Sequence, residues 1–205
     1  MVPGLDDFLR DQPKMSIRPG RKPELVIEGT FSFIAEAAGR ETIEDQYDLQ
    51  LEIPERFPKS LPRVTEYGYK IPRENPAFHI NPDATLCLGT ELRLLLQLSR
   101  KPSLVGFSDN CLVPYLYAIS TKLRHGGKLV FSELDHGSKG ELSDYADLFG
   151  LDSPEAAGRT LQLIRVSKRI ANKQPCPCGC KQRLGKCDFN RKVRRYRELL
   201  KVANL

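Results

Sequence analysis

From Glu24 onward the apolar residues keep a period of two. Ile27, Phe31, Phe33 and Ala35 share one parity, and Ile43, Tyr47, Leu49, Leu51 and Ile53 then alternate with Glu44, Gln46, Asp48, Gln50 and Glu52. Only an extended chain turns alternate side chains to one side, so the pattern predicts two strands with one face buried. Gly39-Arg40-Glu41 between them has turn chemistry, which predicts an antiparallel hairpin.

Around this hairpin the sequence reads as short, well-punctuated elements. Leu5 to Arg10 is expected to form a short helix ahead of Pro13. Three prolines in Ile53-Pro54-Glu55-Arg56-Phe57-Pro58-Lys59-Ser60-Leu61-Pro62-Arg63-Val64 force a stiff connector, after which Val64 to Tyr69 resumes as a third strand. Glu91 to Leu98 predicts a short apolar helix. Ser108-Asp109-Asn110 offers N-cap chemistry for a core helix through Leu112, Leu116, Ile119 and Leu123, with Pro114 in its first turns and Gly126-Gly127 at its end. Ser138 to Phe149 predicts a helix stopped by Gly150. Ser153-Pro154-Glu155 starts another, expected to run to about Asn172 with Leu161, Ile164 and Ile170 on its apolar side. Phe189 to Val202 predicts a basic helix with Val193, Tyr196, Leu199 and Leu200 as its apolar stripe.

The 205 residues, 40% hydrophobic, suffice for one core of roughly 150 residues plus a small appendage. A main domain over residues 1–150 and an extension over 151–205 are therefore expected. No apolar run approaches the ~20 residues that span a bilayer, and Met1-Val2-Pro3-Gly4-Leu5-Asp6-Asp7 lacks the basic-then-apolar order of a secretory signal, so a cytoplasmic protein without membrane partners is expected. The formal net charge of +6 is uneven. From Leu161 onward there are thirteen Lys or Arg against only Asp188 and Glu198, so the basic character belongs to the tail, as a solvated helix face or as a surface for nucleic acid, an acidic protein or a phosphorylated ligand.

Cysteines mark two places. Cys87 sits in the apolar tripeptide Leu86-Cys87-Leu88, after the turn-forming Asn81-Pro82-Asp83 and before Gly89, where a loop meets packed structure; Asn81 and His79 lie six and eight residues upstream. This is a candidate thiol site, the alternative being a buried, inert thiol. Cys111 falls on the apolar core helix and reads as a core residue. The other four, Cys176, Cys178, Cys180 and Cys187, crowd into twelve residues, and in a reducing compartment such crowding points to metal ligation.

The proline-punctuated Phe57-Pro58-Lys59-Ser60-Leu61-Pro62-Arg63-Val64, followed by a strand, His79-Ile80-Asn81 and Leu86-Cys87-Leu88, resembles the core of a ubiquitin-conjugating enzyme. That family carries Tyr-Pro-x-x-Pro-Pro-x-Val, His-Pro-Asn and an active-site Cys within Ile/Leu-Cys-Leu. Here Ile80 replaces the Pro, and the spacing to Cys87 is two residues shorter than is usual in eukaryotic members. The wording His79-Ile80-Asn81-Pro82-Asp83-Ala84-Thr85-Leu86-Cys87-Leu88-Gly89 is closer to bacterial members found in antiphage-defence and ubiquitin-like modification operons. The resemblance covers about residues 20 to 150. It implies an α+β fold, an antiparallel meander sheet packed by helices, and a transferase that holds a ubiquitin-like protein as a Cys87 thioester and passes it to an amine of a target. Implied partners are an activating enzyme, a ubiquitin-like or target protein with a conjugatable C-terminus, and in a defence operon a nucleotidyltransferase. Asn81 would donate to the developing oxyanion or shape the loop, His79 would brace the loop or transfer protons, and His136, beside Asp135, would be a base for the incoming amine. A scaffold of the same fold, binding partner proteins or nucleic acid through its tail, is the alternative. Cysteine-protease chemistry is disfavoured, because none of the three His residues stands at a recognisable spacing from Cys87.

The stretch Cys176-Pro177-Cys178-Gly179-Cys180-Lys181-Gln182-Arg183-Leu184-Gly185-Lys186-Cys187-Asp188 resembles the small zinc tail of the SecA preprotein translocase, Cys-x-Cys-Gly-Ser-Gly-(six residues)-Cys-His/Cys. Cys176, Cys178 and Cys187 fall on the first three ligand positions of a structural Zn2+. For the fourth, Cys180 is chemically better and Asp188 positionally faithful.

Overall fold

A computed structural model describes residues 2–19, 24–127, 129 and 138–203. The predicted hairpin forms as β2 (Leu25–Glu36) and β3 (Thr42–Ile53), reversed by a turn in which the Arg40 N–H donates to the Ala37 carbonyl at 2.9 Å. β1 (Met15–Arg18) and β4 (Arg63–Glu66) complete a four-stranded antiparallel meander in the order β1-β2-β3-β4. Phe31 pairs with Tyr47, Gly29 with Leu49 and Ile27 with Leu51, so the apolar parity of both long strands lies on one face, and all of these large side chains are buried. β1 has no counterpart in the sequence reading. It is four residues long with only Met15 buried, too short for a period to be read. It crosses β2 at Gly29, φ +149°, where a Cβ would lie 2.1 Å from the Lys14 carbonyl oxygen.

The apolar face is covered by α1 (Leu5–Asp11), α2 (Glu91–Leu98), α3 (Leu104–Phe107) and α4 (Val113–His125), which contribute Phe8, Leu98, Leu104, Phe107, Leu116 and Ile119 to the same core. Complete burial of each such side chain contributes about 1.5–3 kcal/mol, which makes this layer the main source of cohesion. The helical run does not begin at Ser108. It begins after Ser103, whose Oγ accepts the Gly106 N–H at 3.1 Å, and passes through Ser108–Leu112 as one wide turn in which the Val113 N–H reaches back to Ser108. Pro114 explains the wide turn: it has no N–H to give, and in a regular helix its ring would strike the carbonyl four residues earlier.

By internal packing the chain divides into Met1–Glu133 and Leu134–Leu205. The helix α5 (Ser138–Phe149), on the near side of the boundary expected at residue 150, packs with the C-terminal helices: the Phe149 ring lies 4.9 Å from that of Tyr196, and the Tyr196 hydroxyl donates to the Leu148 carbonyl at 3.1 Å. α6 (Pro154–Arg165) starts as predicted, with Ser153 Oγ accepting the Ala156 N–H at 3.2 Å, but it does not reach Asn172. Val166 is extended, α7 (Lys168–Ala171) follows, and Ile170 is half exposed rather than apolar-facing. The cause is Arg197 of α8 (Phe189–Ala203). Its buried guanidinium donates to the carbonyls of Leu163 and Ile164, the acceptors that a continuing helix would use, and places a cation at the negative helix end.

Candidate functional site: a thiol loop and a four-cysteine cluster

The segment from His79 to Cys87 folds as a miniature hairpin. The Cys87 N–H donates to the His79 carbonyl and the Asn81 N–H to that of Thr85, each at 2.8 Å, with Ile80 and Leu86 paired between them. The Leu86 N–H continues the pairing to Val64 O of β4 at 2.8 Å, so the loop grows out of the sheet edge. Its tip is closed by local chemistry. Ala84 takes a left-handed conformation, Asp83 accepts from the Thr85 hydroxyl at 2.6 Å, and Arg63 of β4 grips Asp83 at 2.8 Å. The Thr85 hydroxyl and N–H, with Arg63 behind them, hold the Asp83 carboxyl below the usual range.

Cys87 is half-buried at the base of this hairpin. Burial pushes its thiol up, and the Gly89 N–H, hydrogen-bonded to the sulfur, pulls weakly the other way. Gly89 has φ +139°, a conformation that side chains rarely adopt, so glycine lets the chain turn away directly after the N–H that meets the sulfur. The Asn81 amide donates to Thr85 Oγ1 at 3.0 Å, so it shapes the loop. His79 is also left-handed, and its carbonyl receives both the Cys87 N–H and, at 3.5 Å, the Tyr115 hydroxyl. Tyr115, on α4, has its main bond to the Phe78 carbonyl at 2.8 Å. Asp83 and Thr85 were readable as a side-chain-closed turn. Tyr115 was not, since its partner lies 37 residues away. Cys111 is the expected core thiol, pushed up to about 12 by burial. His136 and Asp135 lie outside the described residues.

The four C-terminal cysteines converge. All their sulfurs lie within 4.8 Å of one another, with Cys176 to Cys178 at 3.2 Å and Cys178 to Cys187 at 3.6 Å. The backbone builds the cup: the Cys176 N–H donates to Gln182 O at 2.8 Å, the Leu184 N–H to Gln174 O at 2.8 Å, and Gly179 and Lys181 supply left-handed turns. Burial raises the Cys176 thiol. At Cys178 burial acts in the same sense, but hydrogen bonds from Cys176, Cys180 and Cys187 outweigh it and pull the thiol down to about 7. Four sulfurs about 2.3 Å from one tetrahedral ion would be about 3.8 Å apart, so the donor set fits a metal ion. Asp188 is turned away, highly exposed and bonded to Arg191 at 3.1 Å, so the fourth donor brought to the cluster is Cys180.

No family model, curated protein or solved structure matches the chain. Among the described residues no helix is long and apolar enough to cross a membrane.

Proposed function

We propose that the N-terminal unit is a ubiquitin-conjugating-enzyme-like transferase that carries a ubiquitin-like protein on Cys87. The observation that carries this reading is the placement of one half-buried thiol at the base of a sheet-anchored hairpin, after a helix and a four-stranded meander and ahead of the covering helices. In the first step the Cys87 sulfur attacks the thioester carbonyl of the modifier on its activating enzyme. A new C–S bond forms, the old one breaks, and the departing thiol takes the proton that Cys87 loses. In the second step a target amine attacks that carbonyl, the C–N bond forms, and Cys87 leaves as a thiol with a proton from the amine. The thiolate is the attacking form and burial disfavours it at Cys87, so the proton has to leave the sulfur as the carbonyl is attacked. Asn81, His79 and Tyr115 hold the loop that presents it.

The cysteine cluster is read as a structural zinc site. Four thiolates close the coordination shell and leave no position for substrate. Zinc would join the cup at 174–187 to the start of α8.

The test of the transferase reading is intact mass spectrometry after incubation with candidate ubiquitin-like protein, activating enzyme and ATP without reductant. An adduct that dithiothreitol removes and Cys87→Ser abolishes is expected. Partner binding with no adduct from any candidate would instead leave a scaffold of the same fold.

A further inference from the structure

The C-terminal unit carries a second feature that thioester chemistry does not use. Asn172, just after α7, is a junction. Its carbonyl accepts the Gly185 N–H of the cysteine cup at 3.1 Å, and its side chain accepts from Asn190 of α8 at 3.1 Å. Along the three segments that these bonds join, within about five residues of a bonded position, stand Lys168, Lys173, Arg183, Lys186, Arg194 and Arg195, all exposed. None of the six has an acidic partner among the described residues, whereas Arg191 and Lys201 nearby are paired with Asp188 and Glu198.

Two simpler explanations fall short. A divalent ion on four thiolates carries two negative charges, which offsets about two cations and leaves most of the cluster uncompensated. A merely solvated helix face does not account for it either, since the cations come from three separate segments that the bonds of Asn172 tie to one another. Such a concentration of fixed positive charge attracts a polyanion.

We infer that this junction is a binding surface for the phosphate backbone of double-helical nucleic acid. Arg and Lys on short, rigidly connected elements suit a regular row of phosphates. Single strands are recognised by stacking bases on exposed aromatic rings, but Tyr145, Phe149, Phe189 and Tyr196 of this unit are all buried. The surface therefore reads backbone charge without base sequence.

The experiment is fluorescence anisotropy of the zinc-loaded full chain with a random-sequence DNA duplex, the matching single strand and a poly-glutamate peptide, across a salt series. Six phosphate contacts would cost about a thousandfold in duplex affinity between roughly 50 and 200 mM salt. The triple variant Arg183→Gln, Lys186→Gln, Arg194→Gln is expected to keep its zinc and melting temperature and to lose about half of the salt slope. A control with Arg183→Lys and Arg194→Lys should keep the slope. Equal binding of poly-glutamate, tighter binding of the single strand, or a slope that the triple variant leaves unchanged would overturn the inference. Duplex binding is independent of Cys87→Ser, so its failure is separable from failure of the transferase reading.

Discussion

The Tyr115 hydroxyl donates to the Phe78 carbonyl at 2.8 Å and so ties α4 to the residue just before His79, whose carbonyl receives the Cys87 N–H. Tyr115→Phe removes this bond and leaves a buried carbonyl without it, which costs about 1–2 kcal/mol. The expected result is that loss in urea unfolding, together with faster iodoacetamide labelling of Cys87 as its strand loosens. Labelling and stability that both match the parent would refute the role of Tyr115.

Cys87 labelling should also follow pH in a particular way. Burial favours the neutral thiol, so the thiolate accumulates only above the ordinary cysteine range. Site-resolved alkylation is expected to be slower than that of a free thiol at neutral pH and to be still rising at about pH 9, slightly above the unperturbed value. Gly89→Ala, which cannot hold φ +139° without strain, should raise the midpoint further. A plateau reached below about pH 8 would mean an activated thiolate and a different chemistry.

Much of the sheet was legible because period two cannot be satisfied by a helix, and β2 and β3 bury the predicted parity. The thiol loop was legible from its turn residues and from Cys87 in an apolar tripeptide. What escaped depends on distant partners. β1 is defined by its pairing with β2, the end of α6 is set by Arg197 from α8, and the long helical run starts at the Ser103 cap, ahead of the Ser108-Asp109-Asn110 that the wide turn before Pro114 absorbs. The choice between Cys180 and Asp188 was equally closed to sequence, because ligand spacing fixes neither which way the chain turns after Gly179 nor where the Asp188 carboxylate points.

That choice can be tested directly. Cys180→Ser removes a sulfur donor and is expected to lower zinc affinity by more than the 10–100-fold typical of changes outside the coordination shell, whereas Asp188→Ala should keep one zinc per chain. Metal content by plasma mass spectrometry reads the difference, and chelation of the parent should lower its melting temperature. Asp188→Ala losing zinc while Cys180→Ser retains it would reverse the assignment.

Asp45 lies on the inward parity of β3 between Ile43 and Tyr47, where alternation calls for an apolar residue. It is accommodated because Ser120 of α4 donates to it at 2.7 Å and Lys70 forms an ion pair with it, while Ser120 also bonds the Tyr47 hydroxyl at 2.6 Å. Burial acts against the carboxylate, but the bonds from Lys70 and Ser120 outweigh it, so the folded-state pKa lies below the ordinary value. A depressed carboxyl contributes stability that is fully present above the unfolded pKa of about 3.9 and is lost as pH falls through the lower folded value. Asp45→Asn is therefore expected to cost about 1–3 kcal/mol at neutral pH, and the gap from the parent should narrow below about pH 4. Urea unfolding of both proteins across this range measures the gap, and a difference that stays constant down to the acid limit of folding would show that charge at Asp45 does not couple β3 to α4.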